Sequence, residues 1–228
     1  QTAKLAVLGQ MSASISHELN NPLAAIRSYA DNARQFLKLN QLEPVDENLD
    51  RIANLTERMG KISSQLKFFA RKSTGNLEPV KVLGVIQTAI DIVSPQYKNA
   101  RTLIHIEQTP ETHVVTADVI QLEQVLINLI SNALNALADQ ATGQVTIHCT
   151  QHENLISIHI DDNGPGIDSG NLNKIFDPFF TTRKAGLGLG LSISARIAES
   201  MEGKLTAKNL KLAGARFTLT LPDAGSKT

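Results

Sequence analysis

A single cysteine, no tryptophan, few aromatics and no net charge mark this 228-residue sequence by what it lacks. With Cys149 alone there is no intrachain disulfide framework and no multi-thiolate metal site, and a reducing compartment fits. Lys plus Arg number 22 against 22 Asp plus Glu, so the bulk electrostatic drive toward nucleic acid or an anionic membrane surface is missing. No nucleic-acid partner is expected. No stretch approaches the roughly 20 apolar residues of a membrane helix, and the first residues carry no signal-peptide pattern, so the chain as given reads as soluble. Gln1 already sits inside a helical pattern without a start signal, which predicts that a natural N-terminal portion, with room for a membrane span, has been removed.

What is present is 42% hydrophobic content, enough for a core in one large domain or two modest ones, and much of it falls in stripes. Leu5, Leu8, Ile15, Leu19, Leu23, Ile26, Ala33 and Leu37 recur at helical spacings, predicting a helix over about 4–39 with one buried face. Asn40 to Pro44 read as a turn. Val45, Leu49, Ile52, Leu55, Met59, Ile62, Leu66 and Phe69 then alternate spacings of three and four, a heptad-like seam. Two such helices cannot enclose a core alone, so pairing of two hairpins into a four-helix bundle is expected, and with it a homodimer. Packing of the stripes against the rest of the chain is the competing explanation.

Ser73-Thr74-Gly75-Asn76 breaks the periodicity and reads as a linker. The second region is predicted to hold a short extended segment near Leu77, a helix over 83–100, strands over 102–108 and near Val114, and a helix over 118–139. Strands at 144–150 and 155–161, a glycine-rich stretch, a helix ending at Glu202 and a hairpin of 204–209 with 215–221 complete it. The mixture predicts an α+β sandwich, one sheet with helices on one face.

Within these elements several constellations could carry chemistry. His17 falls between Ile15 and Leu19, off the apolar stripe, beside Glu18; five residues on, Pro22 frees the Glu18 carbonyl, and a local bend is expected. Asn128 and Asn132 share a helix face beside Leu122, Val125, Leu126, Leu129 and Ile130. Amides buried there are costly unless satisfied, and their oxygens suit an octahedral Mg²⁺ shared with nucleotide phosphates; solvent-facing or capping amides are an equal choice. Asp161-Asp162-Asn163-Gly164-Pro165-Gly166-Ile167 ends an apolar strand, either as a plain glycine turn or as a loop where backbone meets a planar ligand and a carboxylate accepts an adenine amine. Phe176-Asp-Pro-Phe179-Phe180-Thr181-Thr182-Arg183-Lys184 has the look of a hinged lid or of a docked loop with rings in the core. Gly186-Leu187-Gly188-Leu189-Gly190 opens a helix, as a phosphate cradle would, although a flexible tip reads alike. The remaining histidines, His105, His113, His148, His152 and His159, lie on or beside strands without spaced partners for a metal.

Taken in order, His17-Glu18-Leu-Asn-Asn21-Pro, Asn128-Leu-Ile-Ser-Asn132, Asp162-Asn-Gly164-Pro-Gly166, Phe176-Asp-Pro-Phe179-Phe180 and Gly186-Leu-Gly188-Leu-Gly190 resemble the five sequence boxes of bacterial sensor histidine kinases, over nearly the whole chain. Within that family, Arg27-Ser-Tyr-Ala-Asp-Asn-Ala and Phe179-Phe-Thr-Thr are similar to the C4-dicarboxylate transport sensors. The resemblance implies an α-helical hairpin (1–74) forming a dimeric four-helix bundle, followed by an α+β ATP-binding sandwich of the histidine kinase and Hsp90-like type (75–228). It implies ATP and Mg²⁺ as cofactors, a response regulator receiver domain as partner, and a cytoplasmic fragment of a bacterial inner-membrane sensor.

By similarity, His17 accepts the γ-phosphoryl group of ATP, Glu18 polarises the imidazole N–H, and Asn21 orients water for dephosphorylating the regulator. Asp162 reads adenine, Asn128 and Asn132 stand on the Mg²⁺ side, and Gly164, Gly166, Gly186, Gly188 and Gly190, with Leu187 and Leu189 between them, shape the cleft. Phe179, Thr182, Arg183 and Lys184 belong to the lid. Asn135 and Leu187 depart from the charged residue and the threonine frequent there, and Arg183 or Lys184 would compensate. An ATP-gated clamp and a nucleotide-binding scaffold without phosphotransfer are the alternative readings. The residues leave open whether transfer runs within one chain or across a dimer.

Overall fold

The computed structural model describes residues 2–69, 75–97, 102–107, 110–138, 140, 142–183 and 188–226, without the side chains of 2–19, 58, 61–69, 96, 97 and 226. The chain divides into two compact units, Gln1–Arg71 and Lys72–Thr228.

The first unit is a helical hairpin of α1 (Thr2–Lys38) and α2 (Leu42–Phe69). Its turn is tighter than the 40–44 expected. Asn40 adopts φ 56°, and the N–H groups of Asn40 and Gln41 return to the carbonyls of Leu37 and Phe36 at 3.1 and 3.0 Å, a left-handed cap that closes α1 in three residues. Helix α2 therefore starts before Pro44, which is tolerated because first-turn N–H groups have no helical acceptor to lose. Pro22 lies inside α1, and the helix runs on past it. Among the described side chains of this unit Pro22 and Ala33 are buried, whereas Leu23, Leu37 and Leu49 are about half exposed (48, 56 and 52%). The stripe is formed but not covered within one hairpin.

The second unit is built on a five-stranded mixed sheet in the order β2-β4-β5-β7-β6: β2 (Thr102–Glu107), β4 (Gly143–His152), β5 (Leu155–Asp162), β6 (Lys204–Asn209) and β7 (Ala215–Pro222). Strand β2 joins β4 in parallel and the other pairings are antiparallel. Alternation explains the layering: Val145, Ile147, Ile156, Ile158, Ile160, Phe217, Leu219 and Leu221 are buried together with Ile86, Leu122, Leu126, Leu129 and Ile130, which come from α3 (Val82–Val93) and α4 (Val119–Ala136). Helix α5 (Gly190–Ser200) adds Ile197 and Ala198 to that core.

Differences from expectation have local causes. The helix expected over 83–100 gives way at Ser94–Tyr97 to a 3₁₀ turn, because Pro95 brings no N–H; 98–100 lie outside the described residues. Asp118 is the N-cap of α4, its Oδ1 accepting Gln121 N–H at 3.1 Å, so the helix starts one residue later. The extended segment after Leu77 is β1 (Glu78–Lys81). It pairs antiparallel with β3 (Val114–Ala117) as a separate ribbon rather than joining one sheet.

Candidate functional site

Strand β5 delivers two adjacent carboxylates to opposite faces. Asp161 turns to the polar face, where it receives Arg216 through Nε at 2.7 Å and Nη2 at 2.5 Å. Asp162 turns to the helix face and is 4% exposed. Its Oδ1 accepts the N–H of Gly164 at 2.9 Å and of Ala215 at 3.3 Å, which sets the plane of the carboxylate. Burial pushes its pKa up from the ordinary carboxylate value, against the two backbone bonds that pull it down.

Gly164 is packed rather than open: a β-carbon there would lie 2.8 Å from Asp162 Oδ1 and 3.4 Å from the carbonyl oxygen of Ala136 at the end of α4. Gly166, at φ 78°, stands against Asn209 and Gly214. Glycine is demanded here by the protein's own neighbours, a more direct reason than the approach of a ligand.

Helix α4 supplies the opposite wall. Residues 128, 132 and 136 are spaced by one turn and lie on one face. Ala136 meets Gly164, Asn132 meets Arg183, and Asn128 meets the start of α5. Asn128 Nδ2 donates to Ser194 Oγ at 2.9 Å, and a β-carbon on Gly190 would lie 2.4 Å from Asn128 Oδ1. Leu189, the N-cap of α5, is 2% exposed and makes no side-chain cap bond to the first-turn N–H groups, which stand at the positive end of the helix dipole. The two asparagines are half-buried and already partnered. Of the two readings left open, the structure gives each amide a hydrogen-bond partner within the protein.

The segment between the glycine loops folds back on itself. Phe179 takes φ 67°, unusual for an aromatic, and Gly188 takes φ 66°. A β-carbon on Gly188 would lie 2.4 Å from the carbonyl carbon of Phe179 and 2.6 Å from the Phe180 oxygen, so the chain returns over this backbone. Phe176 and Phe180 pack on the core and Thr182 is exposed. Arg183 donates through Nη1 to Asn132 Oδ1 at 3.1 Å and through Nη2 to the Asn132 carbonyl at 2.8 Å. Lys184, Gly186 and Leu187 lie outside the described residues.

In the helical hairpin, His17 and Glu18 lie on continuous α1 backbone, and the expectations for their side chains fall outside the described ones. Asn21 is exposed and Pro22 is buried.

Comparison with known proteins places these two arrangements. Residues 7–75 match the His Kinase A (phospho-acceptor) domain, and residues 117–225 match the histidine kinase-, DNA gyrase B- and HSP90-like ATPase family. The chain belongs to the two-component sensor histidine kinases. It is 38% identical over 224 residues to the C4-dicarboxylate transport sensor protein DctB of Rhizobium meliloti, covering 98% of this chain and 36% of that protein. With the DctB of Pseudomonas aeruginosa it shares 40% over 225 residues, 97% of this chain and 37% of that one. The chain thus spans about a third of the length of these relatives. The solved catalytic domain of histidine kinase ThkA superposes with a TM-score of 0.60 at 28% identity, over 65% of this chain and 96% of that one.

For a sensor histidine kinase, several neighbours of the site escaped the sequence reading. Asn163 bonds Gln144 N–H through Oδ1 at 2.8 Å and donates to the Thr142 carbonyl at 3.2 Å. Asn209, Gly214, Ser194 and Arg216 also touch the boxes from distant elements. An Asp-Asp doublet closing an alternating strand was the one local signal, since alternation sends its members to opposite faces. On the polar face a cavity of about 340 Å³ is lined by Glu107, Thr146, His148, Asp161 and Arg216 among others, and Asp162 and Asn163 border it at the strand end. It lies across the sheet from α4, away from the meeting of the boxes.

Proposed function

We propose that this chain is the kinase core of a sensor, moving the γ-phosphoryl group of ATP onto His17 and from there to an aspartate on the receiver domain of a response regulator. The supporting observation is the single face of α4. Positions 128, 132 and 136 touch the α5 terminus, the lid arginine and the Asp162 loop, so three separated boxes line one wall.

In this reading ATP lies with its adenine amine donating to Asp162 and its phosphates toward the start of α5, where N–H groups and the helix dipole favour anions. Asn128 and Asn132 would hold Mg²⁺: their donor set is neutral amide oxygen, which suits an ion otherwise bound by phosphate and water, and among the described residues no cluster of His, Cys, Asp and Glu offers an alternative metal site. When bound, that ion neutralises phosphate charge. Arg183 donates to one lone pair of the Asn132 amide oxygen and leaves the other to face the ion, and in this reading its guanidinium stands on the phosphate side. His17 attacks as the neutral imidazole; its N–P bond forms as the bond to the bridging oxygen of ADP breaks, while Glu18 takes the ring proton. Asn21, one turn on, would orient water when the regulator is dephosphorylated.

The half-exposed stripe of Leu23, Leu37 and Leu49 supports a homodimer through the hairpin, two hairpins covering one another. Relatives named as C4-dicarboxylate transport sensors support a role in regulating such transport. Incubation with γ-labelled ATP and Mg²⁺ tests the central claim. Acid-labile, alkali-stable label that disappears in His17→Gln is expected. Phosphate release without label would favour an ATP-gated clamp, and neither result would leave a scaffold.

A further inference from the structure

Asn209 ends β6, opposite Ala215 in the β6–β7 register. Its carboxamide engages both backbone groups of one residue in the loop after Asp162: Oδ1 accepts Ile167 N–H at 2.7 Å and Nδ2 donates to the Ile167 carbonyl at 2.6 Å. This pair of bonds copies a rung of a β-ladder with a side chain in place of a strand. Gly166 fits the arrangement, because a β-carbon there would stand 3.0 Å from Asn209 Oδ1. The same hairpin reaches Asp162 twice more. Ala215 N–H bonds its Oδ1, and Gly214 leaves room for its carbonyl, which a β-carbon would meet at 1.7 Å.

At the loop's other end the Asn163 carboxamide bridges to Gln144 and Thr142. The stretch from Asp162 to Ile167 is thus hung between two carboxamides, and Asn209 is the one that holds its exit. We infer that Asn209 is a positioning residue for adenine recognition: it preorganises the Asp162 loop and so sets ATP affinity and preference for adenine. The inference rests on the reading of Asp162 as the adenine acceptor. Alanine offers neither bond. Aspartate is isosteric but puts an oxygen, not a donor, against the Ile167 carbonyl.

The test is steady-state autophosphorylation of the 228-residue chain with ATP and with GTP, for wild type, Asn209→Ala, Asn209→Asp and Asp162→Asn. Loss of loop preorganisation should raise KM for ATP about tenfold in both Asn209 variants, with kcat within about twofold and a narrower ATP-to-GTP preference. A general loss of folded protein would lower kcat and leave base preference unchanged, which would overturn the inference. So would an ATP KM within about twofold of wild type in Asn209→Asp, the variant that preserves side-chain volume. If Asp162→Asn itself leaves ATP KM unchanged, the adenine reading fails and takes this proposal with it. If only the Asn209 variants are silent, the reading of Asp162 stands and the positioning role falls.

Discussion

Asp162→Asn separates binding from folding. The substitution keeps shape, and the carboxamide oxygen can take the Gly164 and Ala215 N–H groups that Oδ1 holds at 2.9 and 3.3 Å. The Nδ2 group then occupies the place of the second carboxylate oxygen and meets the adenine amine donor to donor. Losing a hydrogen bond to a charged acceptor costs about 1.5–3 kcal/mol, and leaving a buried donor unsatisfied adds about 1–3 kcal/mol. Together they weaken nucleotide binding by roughly two to four powers of ten. Stability should move the other way or not at all. Burial is the largest influence on Asp162 and raises its folded-state pKa above the unfolded value, so the folded state binds more protons between the two and stability falls as pH rises through the folded pKa. A neutral amide removes that cost at neutral pH. Calorimetric titration with ADP should show the loss of affinity, while thermal melting followed by circular dichroism shows a midpoint equal to or above wild type. In wild type, affinity should also fade on acidification above the ordinary carboxylate range. Binding retained within threefold, or lost together with a lowered melting midpoint, refutes the reasoning.

Three further outcomes follow from the geometry. Gly190→Ala drives a β-carbon to 2.4 Å from Asn128 Oδ1, so the amide must leave its seat; initial rates of autophosphorylation should fall by up to roughly a hundredfold, the scale of a 1 Å misplacement. Gly214→Ala sets a β-carbon against the Asp162 backbone at φ 90°, with a cost of roughly 3 kcal/mol and a melting midpoint lower by about 6–12 °C. His159 stacks on His148 and lies between Thr150 and Thr218, and burial, then His148 and Arg216, lower its pKa to about 4. The unfolded state therefore binds more protons between about 6.5 and about 4, and stability declines as pH falls through that window. His159→Gln should flatten that acid limb in denaturant titrations.

How much could be read in advance depends on how local each interaction is. The hairpin helices, the alternating strands β4, β5 and β7, and the glycine boxes were legible because a period or a turn signal lies within a few residues. The pairing of β1 with β3 was not, since each is only four residues long and paired residues lie more than thirty positions apart in the chain. The Asp118 cap was misread as helix because a capping aspartate and a first-turn aspartate look alike in sequence. The residues read as functional, His17, Asn128, Asn132 and Asp162, stand in ordered boxes that are visible in the sequence. Asn209, Gly214 and Ser194 carry no local mark; each matters only through a partner more than forty positions away.

By itself, then, the sequence determined which elements form and which residues have chemistry to offer: short-range periodicity, capping and φ preference act between neighbours in the chain. Only the tertiary structure decided that Asn128, Asn132 and Ala136 meet three different boxes along one wall, that Arg183 holds the Asn132 amide, and that a hairpin at the C-terminal end secures the loop after Asp162. Those arrangements come from burying the apolar faces of α4 and the sheet against each other, and packing of that kind brings distant residues within hydrogen-bond reach without leaving a local trace.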